Sequence, residues 1–455
     1  FRALSPDNKL VLRILAVAYE GVNINKFTYI ITDARFKVEF SQATLRNNLN
    51  KLVQTGFLTR EKADRYLIDP DFADYLLDQE FQTEKDILKA IPSVKRFSDS
   101  EWWLTNSPDK ARRAFRNARL AYYQDDLATF TKEIQTADTH SPKSGEPVWR
   151  AFLPNDFDQK KLEKAPISIR YQLLISHLSL MLLHLKPLDG YFHFLLEKDH
   201  LPSNTETRNT ILRLMAQLAI FQGDWNLVTK LSKHFDELNQ LSFAAQLQLS
   251  KGKYREASVG FELAQKAYRK QSRNNKSLLP GLNGIFHLLA RCKDLDMGAS
   301  TPLQDELRRQ IKLGGNYLDV FTYLDAVISM YTGGLSQAKA VIAIRSWHSI
   351  GQFFQTLATY WVDETMIDVL ATAALAENLQ IKRYRWLAWQ LWAILAQIDP
   401  HKPAWAQAMQ ALEQDGDDWV PLIKIFPKVE VWESALNALL NLSSKVKPST
   451  EEGAT

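Results

Sequence analysis

Beyond residue 70 the chain sets its apolar residues three and four positions apart and almost never in alternation. That spacing is the stripe of an amphipathic helix, not the two-residue period of a half-buried strand. Only 17 glycines and 17 prolines punctuate 455 residues, so helices have room to run. Ser5-Pro6-Asp7 and Ser107-Pro108-Asp109 read as helix starts. In each, a Ser hydroxyl can accept an orphan N–H, Pro is preset for the first turn, and Asp lies near the positive end of the dipole. The expected fold class is mainly α. A chain of this length can bury a large core without metals or disulfides. Its one cysteine, Cys292, excludes an internal disulfide framework and a clustered thiolate zinc site.

The first 78 residues have a different rhythm. Leu10, Val11, Ile14, Leu15 and Val17 mark a first helix that stops near Gly21. A second runs from about Asn25 to Thr32. Ser41 caps a third, with Leu45, Leu49 and Leu52 on one face and a stop at Gly56. Phe57 to Arg60 then reads as a strand, Glu61 to Asp64 as a turn, and Arg65 to Ile68 as the return strand. Three helices followed by a hairpin resemble a winged helix-turn-helix, and Ala43 to Leu58 resembles that family's third helix running into its wing. In a DNA-binding member the third helix enters the major groove and the wing approaches phosphates. The resemblance therefore implies roles for Arg46, Asn47, Asn50 and Lys51, which face away from the leucines, and for Arg60 and Lys62 on the wing. From Arg35 to Arg65 seven bases stand against three acids, which suits an anionic partner. A winged helix used for protein contacts is the competing reading.

Residues 79–165 read as a helical connector, with loops at Glu146-Pro147 and Pro154-Asn155-Asp156. Residues 166–400 read as an array of helical hairpins. Gly252-Lys253-Tyr254-Arg255-Glu256-Ala257, followed by Phe261 and Ala264, resembles the middle of a tetratricopeptide repeat. Gly223-Asp224-Trp225 with Val228, and Gly333-Gly334-Leu335 with Ala338 and Ile342, echo it. These turns are 29 and 81 residues apart, not multiples of the repeat's 34, so the array is degenerate. Asp399-Pro400-His401-Lys402-Pro403 reads as a hinge, residues 401–442 as a C-terminal helical extension, and 443–455 as a polar, disordered tail.

Chemical motifs are sparse. The sequence contains no glycine loop ending in Gly-Lys-Ser/Thr, no Gly-x-Gly-x-x-Gly, no His-Glu-x-x-His and no Gly-x-Ser-x-Gly. His177, His184, His193 and His200 recur at intervals of seven, nine and seven, which suits either a metal site or histidines packed between helices. Eight of the twelve tryptophans fall between Trp347 and Trp432, and Trp386, Trp389 and Trp392 step along one stripe. That stripe is either a groove for a ligand or inter-helix core. Two basic clusters are candidate anion patches. Arg112, Arg116 and Arg119 share a helix face, with Lys110 and Arg113 beside them. Lys251 to Lys276 holds eight bases against two acids, including Lys266, Arg269, Lys270, Arg273 and Lys276.

Phe261 to Ala290 contains Ala267-Tyr268-Arg269-Lys270 and Leu278-Leu279-Pro280-Gly281-Leu282-Asn283-Gly284-Ile285-Phe286-His287. It resembles the long N-terminal regions of bacterial Swi/Snf-type, helicase-like DNA-dependent ATPases, in which a winged-helix start and a helical-repeat region precede the motor. The resemblance implies that the chain is the non-catalytic accessory part of a longer protein, without ATPase activity or a cofactor of its own. Its expected partners are DNA, or a protein partner or downstream motor domain. A stand-alone winged-helix transcription regulator with a helical sensor array is an alternative, and an enzyme with an unrecognised site is another. No apolar run reaches the roughly 18 residues a membrane span needs; Leu173 to Leu185 is the longest candidate and contains two histidines. The opening residues do not read as a signal peptide, and one cysteine suits a reducing compartment, so a cytoplasmic protein is expected.

Overall fold

Helix ends come first in the N-terminal region because side chains close them locally. Ser5 Oγ accepts from Asn8 N at 3.3 Å and opens α1 (Pro6–Ala18). Asn23 Oδ1 accepts from Lys26 N at 2.9 Å and opens α2 (Ile24–Asp33). Ser41 Oγ accepts from Thr44 N at 3.1 Å and opens α3 (Gln42–Gln54). Each cap satisfies an N–H that the helix itself cannot. An antiparallel hairpin follows, β1 (Leu58–Glu61) and β2 (Arg65–Ile68), with Leu58 opposite Ile68 and Glu61 opposite Arg65. Between α1 and α2, Val22 pairs with Tyr66 through two backbone hydrogen bonds of 3.0 Å, adding a third short rung to the sheet. Val11, Leu15, Phe27, Leu45, Leu49 and Tyr66 share one core.

This computed structural model describes residues 4–19, 21–36, 40–61, 64–69, 72–73, 75–77, 90–99, 107–140, 148–153, 157, 159–186, 189–197, 200–273, 278–294, 300–313, 315–331, 334–413 and 418–426. It is mainly helical, and no described helix is long and apolar enough to cross a membrane. The chain divides into two compact units, residues 1–174 and 175–455.

The first unit continues with α4 (Ala90–Asp99), α5 (Ser107–Tyr123), α6 (Leu127–His140) and α7 (Gln159–Lys164). Ala114, Ala118 and Ala121 are buried at one-turn spacing on α5, which lets α6 approach with Phe130, Ile134 and Ala137. The loop residues 146–147 and 154–156 lie outside the described residues. The division between the units falls inside α8 (Ile167–His184), not before it.

After a short helical stretch at residues 189–197, the second unit is a succession of helices: α9 (Thr205–Gln222), α10 (Trp225–Ser232), α11 (Glu237–Ser250), α12 (Tyr254–Ser272), α13 (Leu282–Asp294), α14 (Ser300–Leu313), α15 (Leu318–Met330), α16 (Leu335–Ile342), α17 (Ser349–Asp363), α18 (Val369–Ile381), α19 (Arg385–Ile398) and α20 (Pro403–Gln410). Neighbours in sequence pack on one another, most closely α11 on α12, where Ala257, Phe261 and Ala264 are fully buried.

The C-terminal region differs from the expected helical extension. Within residues 401–442, the described helical content is α20 and one 3-10 turn at Leu422–Lys424, inside a strap formed by residues 418–426. Besides its 3-10 turn, the strap bonds to the array. Val420 N donates to Ser250 O at 2.8 Å and Leu422 N to Gln390 Oε1 at 2.7 Å. Gln390 Nε2 donates back to Val420 O at 3.3 Å, and Trp361 Nε1 donates to Ile423 O at 3.2 Å. Pro421 lacks an N–H, and inward-facing Trp419, Leu422 and Phe426 are buried, so packing and backbone chemistry both oppose a helix there. Residues 427–442 and the expected tail lie outside the described residues.

The strap crosses two of the glycine turns. Gly223 and Gly252 have positive φ of 68° and 72°, a conformation L side chains rarely adopt. A Cβ at Gly223 would meet Trp419 at 2.7 Å, and one at Gly252 would meet Val420 at 2.9 Å. Arg385 completes the first crossing: one guanidinium nitrogen donates to Gly223 O at 2.6 Å, and the group lies 4.9 Å from the Trp419 ring centre.

Candidate nucleic-acid interface

Helix α3 is sorted by its own periodicity. Leu45, Leu49 and Leu52 face the core, and Arg46, Asn47 and Lys51 are exposed on the other side. Neither Arg46 nor Lys51 forms an ion pair among the described residues. Asn50 is half-buried, and its Oδ1 accepts from the Tyr66 hydroxyl at 3.4 Å, which ties α3 to β2. It is therefore less available to a ligand than the sequence suggested. Arg60 on β1 is exposed, but its guanidinium pairs with Asp64 at 2.5 Å and sits 5.9 Å from the Tyr66 ring centre. The hydrogen bond from Arg60 and its charge, with a smaller contribution from Arg46, hold the Asp64 carboxyl below its ordinary value. Arg46 and the hairpin are thus within electrostatic reach of each other. Lys62 lies outside the described residues.

The sequence reading missed Asp64 and Tyr66. Asp64 sits four residues after Arg60, a spacing visible in the sequence. The reach of Tyr66 to Asn50 is visible only in three dimensions.

The other candidates fare differently. On α5, Arg112 is exposed, but Arg116 and Arg119 are only 1% and 3% exposed. The expected basic face is therefore corrected. Both arginines are enclosed within the first unit instead of facing solvent. Arg119 lies 3.6 Å from the Tyr19 ring centre, and Arg116 donates to Asn117 Oδ1 at 2.9 Å. On α12, Lys266, Lys270 and Arg273 are exposed, whereas Arg269 turns inward toward Glu306, which Arg291 also meets at 3.2 Å. Lys276 lies outside the described residues.

Of the histidines, His177 is buried against the Tyr191 hydroxyl, with Nδ1 at 2.8 Å, His184 packs on Trp347, and His200 stacks on Phe194. No metal-holding group of three or more His, Cys, Asp or Glu side chains occurs among the described residues. Trp386, Trp389 and Trp392 are buried, so their stripe is inter-helix core.

Asp319, Ser346 and His348 also meet in the second unit. Ser346 Oγ donates to Asp319 Oδ2 at 2.5 Å, and His348 Nε2 lies 3.2 Å from the same oxygen. Imidazole Nδ1 accepts from Gly351 N at 2.9 Å and caps α17. A nucleophilic relay needs the hydroxyl on the imidazole; here both groups point at the carboxylate, so the arrangement acts as a helix cap.

No family model, curated protein or solved structure matches this chain.

Proposed function

We propose that the chain is a non-catalytic accessory region of a bacterial helicase-like DNA-dependent ATPase, and that its first three helices and hairpin act as a winged helix on duplex DNA. The observation that carries this reading is the pair of exposed cations, Arg46 and Lys51, without an ion pair among the described residues, on the face of α3 opposite its buried leucines. In this reading α3 enters the major groove. Arg46 reaches base edges, Lys51 meets phosphate, and Arg60 exchanges Asp64 for a backbone phosphate. The attachment to a motor rests on the resemblance of Phe261 to Ala290, which spans most of α12 and α13. The helical array serves as the regulatory body, since such arrays offer extended binding surfaces.

Fluorescence anisotropy with short duplexes at two salt concentrations tests the DNA contact. Arg46→Glu/Lys51→Glu is expected to bind more weakly and to flatten the log–log salt dependence by about one unit per lost phosphate contact. Equal, weak binding by wild type and variant would make α3 a protein contact instead.

A further inference from the structure

Between α17 and the start of α18 the second unit opens a cleft of about 310 Å³. Small-molecule sites span roughly 300–1,000 Å³, so this one suits a ligand of few atoms. Part of its lining is apolar: Ile342 at the end of α16, Met366, and Ala371 and Leu375 one turn apart on α18. The polar lining from α17 is largely occupied by the protein itself. The Thr356 and Thr359 hydroxyls donate to Gln352 O and Gln355 O, at 3.0 and 2.8 Å. Gln352 Nε2 donates to Ser346 O at 3.2 Å.

Two charged residues line the cleft, Arg345 and Asp368, and both are exposed. Among the described residues neither forms an ion pair, with the other or elsewhere. Both are nonetheless fixed in place. Gln355 brackets Arg345: its Nε2 donates to Ile344 O at 3.1 Å and its Oε1 accepts from Ser346 N at 3.2 Å. The Tyr323 hydroxyl adds a bond to Ile344 O at 2.7 Å. Asp368 is the N-cap of α18. Its Oδ1 accepts from Ala371 N at 2.9 Å, which leaves Oδ2 without a hydrogen bond among the described residues. The cleft thus holds one cation and one anion on braced backbone, each with its charge turned to no partner of its own, the arrangement of a preorganised site.

A ligand with a single charge would be attracted by one of these groups and repelled by the other. A ligand with one charge of each sign satisfies both. We propose that the cleft binds a small zwitterion, an amino acid with an aliphatic body. The Arg345 guanidinium takes its carboxylate, Asp368 Oδ2 takes its ammonium, and the aliphatic part lies against Ile342, Ala371 and Leu375. This inference goes beyond the DNA reading and does not depend on it.

Isothermal titration calorimetry on the full-length chain tests it with two probes. L-Leucine carries adjacent charges, and ε-aminocaproate carries distant ones. At least one is expected to bind saturably at one site, with a Kd of about 1 mM or tighter. Its one-charge counterparts, isocaproate and isoamylamine for leucine or caproate and n-pentylamine for ε-aminocaproate, should bind about tenfold more weakly or worse. Arg345→Gln should bind the zwitterion no better than the amine, and Asp368→Asn no better than the acid. Asn caps a helix as well as Asp does, so the second variant keeps the start of α18 closed. A general loosening of the fold would not erase one preference in each variant. No saturable binding of either probe at about 10 mM, one-charge compounds binding as tightly as the zwitterion, or both variants binding as the wild type does would overturn the proposal.

Discussion

The three-helix module with its hairpin and the helical array hold themselves together over different distances along the chain. In the module, each helix is capped from three residues away, and the hairpin pairs residues at most ten apart. In the array, Arg385 bonds to Gly223 across 162 residues, and the Tyr384 hydroxyl to Lys186 across 198. The two regions also use arginine differently. Arg46 on α3 is exposed, while Arg385 is enclosed by Trp419 and two carbonyls. The module's ties are shorter, the longest between Val22 and Tyr66, and α3 keeps Arg46 and Lys51 exposed. In the array, Arg385 is turned inward and fastens segments distant in sequence.

The strongest challenge to this contrast is Trp419→Ala. Trp419 fills the space over Gly223, packs on Trp389 with ring centres 5.7 Å apart, and covers Arg385. Its removal should cost the second unit about 3 kcal/mol in urea unfolding and, if the module binds DNA as proposed, leave that binding unchanged. Wild-type stability in this variant would show that the array stands without its strap.

A smaller and pH-dependent loss is expected from Asp319→Asn. Burial by itself works against ionising Asp319, but hydrogen bonds from His348 and Ser346 outweigh it and hold the carboxyl below its ordinary value. A carboxyl depressed in the folded state stabilises above its unfolded value, about 3.9, and that contribution fades as pH falls toward the folded value. The variant should therefore be less stable than wild type by about 1–2 kcal/mol at neutral pH, and the gap should close under acid. A gap independent of pH would show that the cap depends on shape, not charge. Gly351→Ala probes the same cap without charge. An added methyl would collide with Ser346, Asp319 and His348 at once, so melting should fall at every pH.

The difference in range also explains what the sequence discloses. The module's helices, leucine face and hairpin follow from caps and periodicity, and α2 extends one residue beyond its expected bounds at each end. The turn glycines were equally visible, but what presses on Gly223 and Gly252 was not, because Trp419 and Val420 come from the far end of the chain. Periodicity placed Arg112, Arg116 and Arg119 on one face. Whether that face meets solvent depends on what packs over it, and Tyr19, a hundred residues earlier in the chain, gave no sign that it would cover Arg119. The ionic state of the candidate interface was half legible: the cations of α3 are exposed as their spacing implies, and Asp64 was counted among the acids without its pairing to Arg60 being drawn.

That acid supplies the finest test of the module. Asp64 is exposed, lies in the hairpin turn at a positive φ of 54°, and holds the Arg60 guanidinium at 2.5 Å. Asn tolerates the same backbone conformation, so Asp64→Asn removes charge without straining the turn. Stability should stay close to wild type, since an exposed pair contributes little. If the hairpin lies along the DNA backbone, freeing Arg60 adds a cation at the phosphates and removes a repelling anion. Duplex affinity should then rise by about threefold, and the log–log salt dependence should steepen by about 0.9. Arg60→Gln in the Asp64→Asn background should return both to the wild-type range. A variant with the wild-type affinity and salt slope would show that the hairpin makes no phosphate contact.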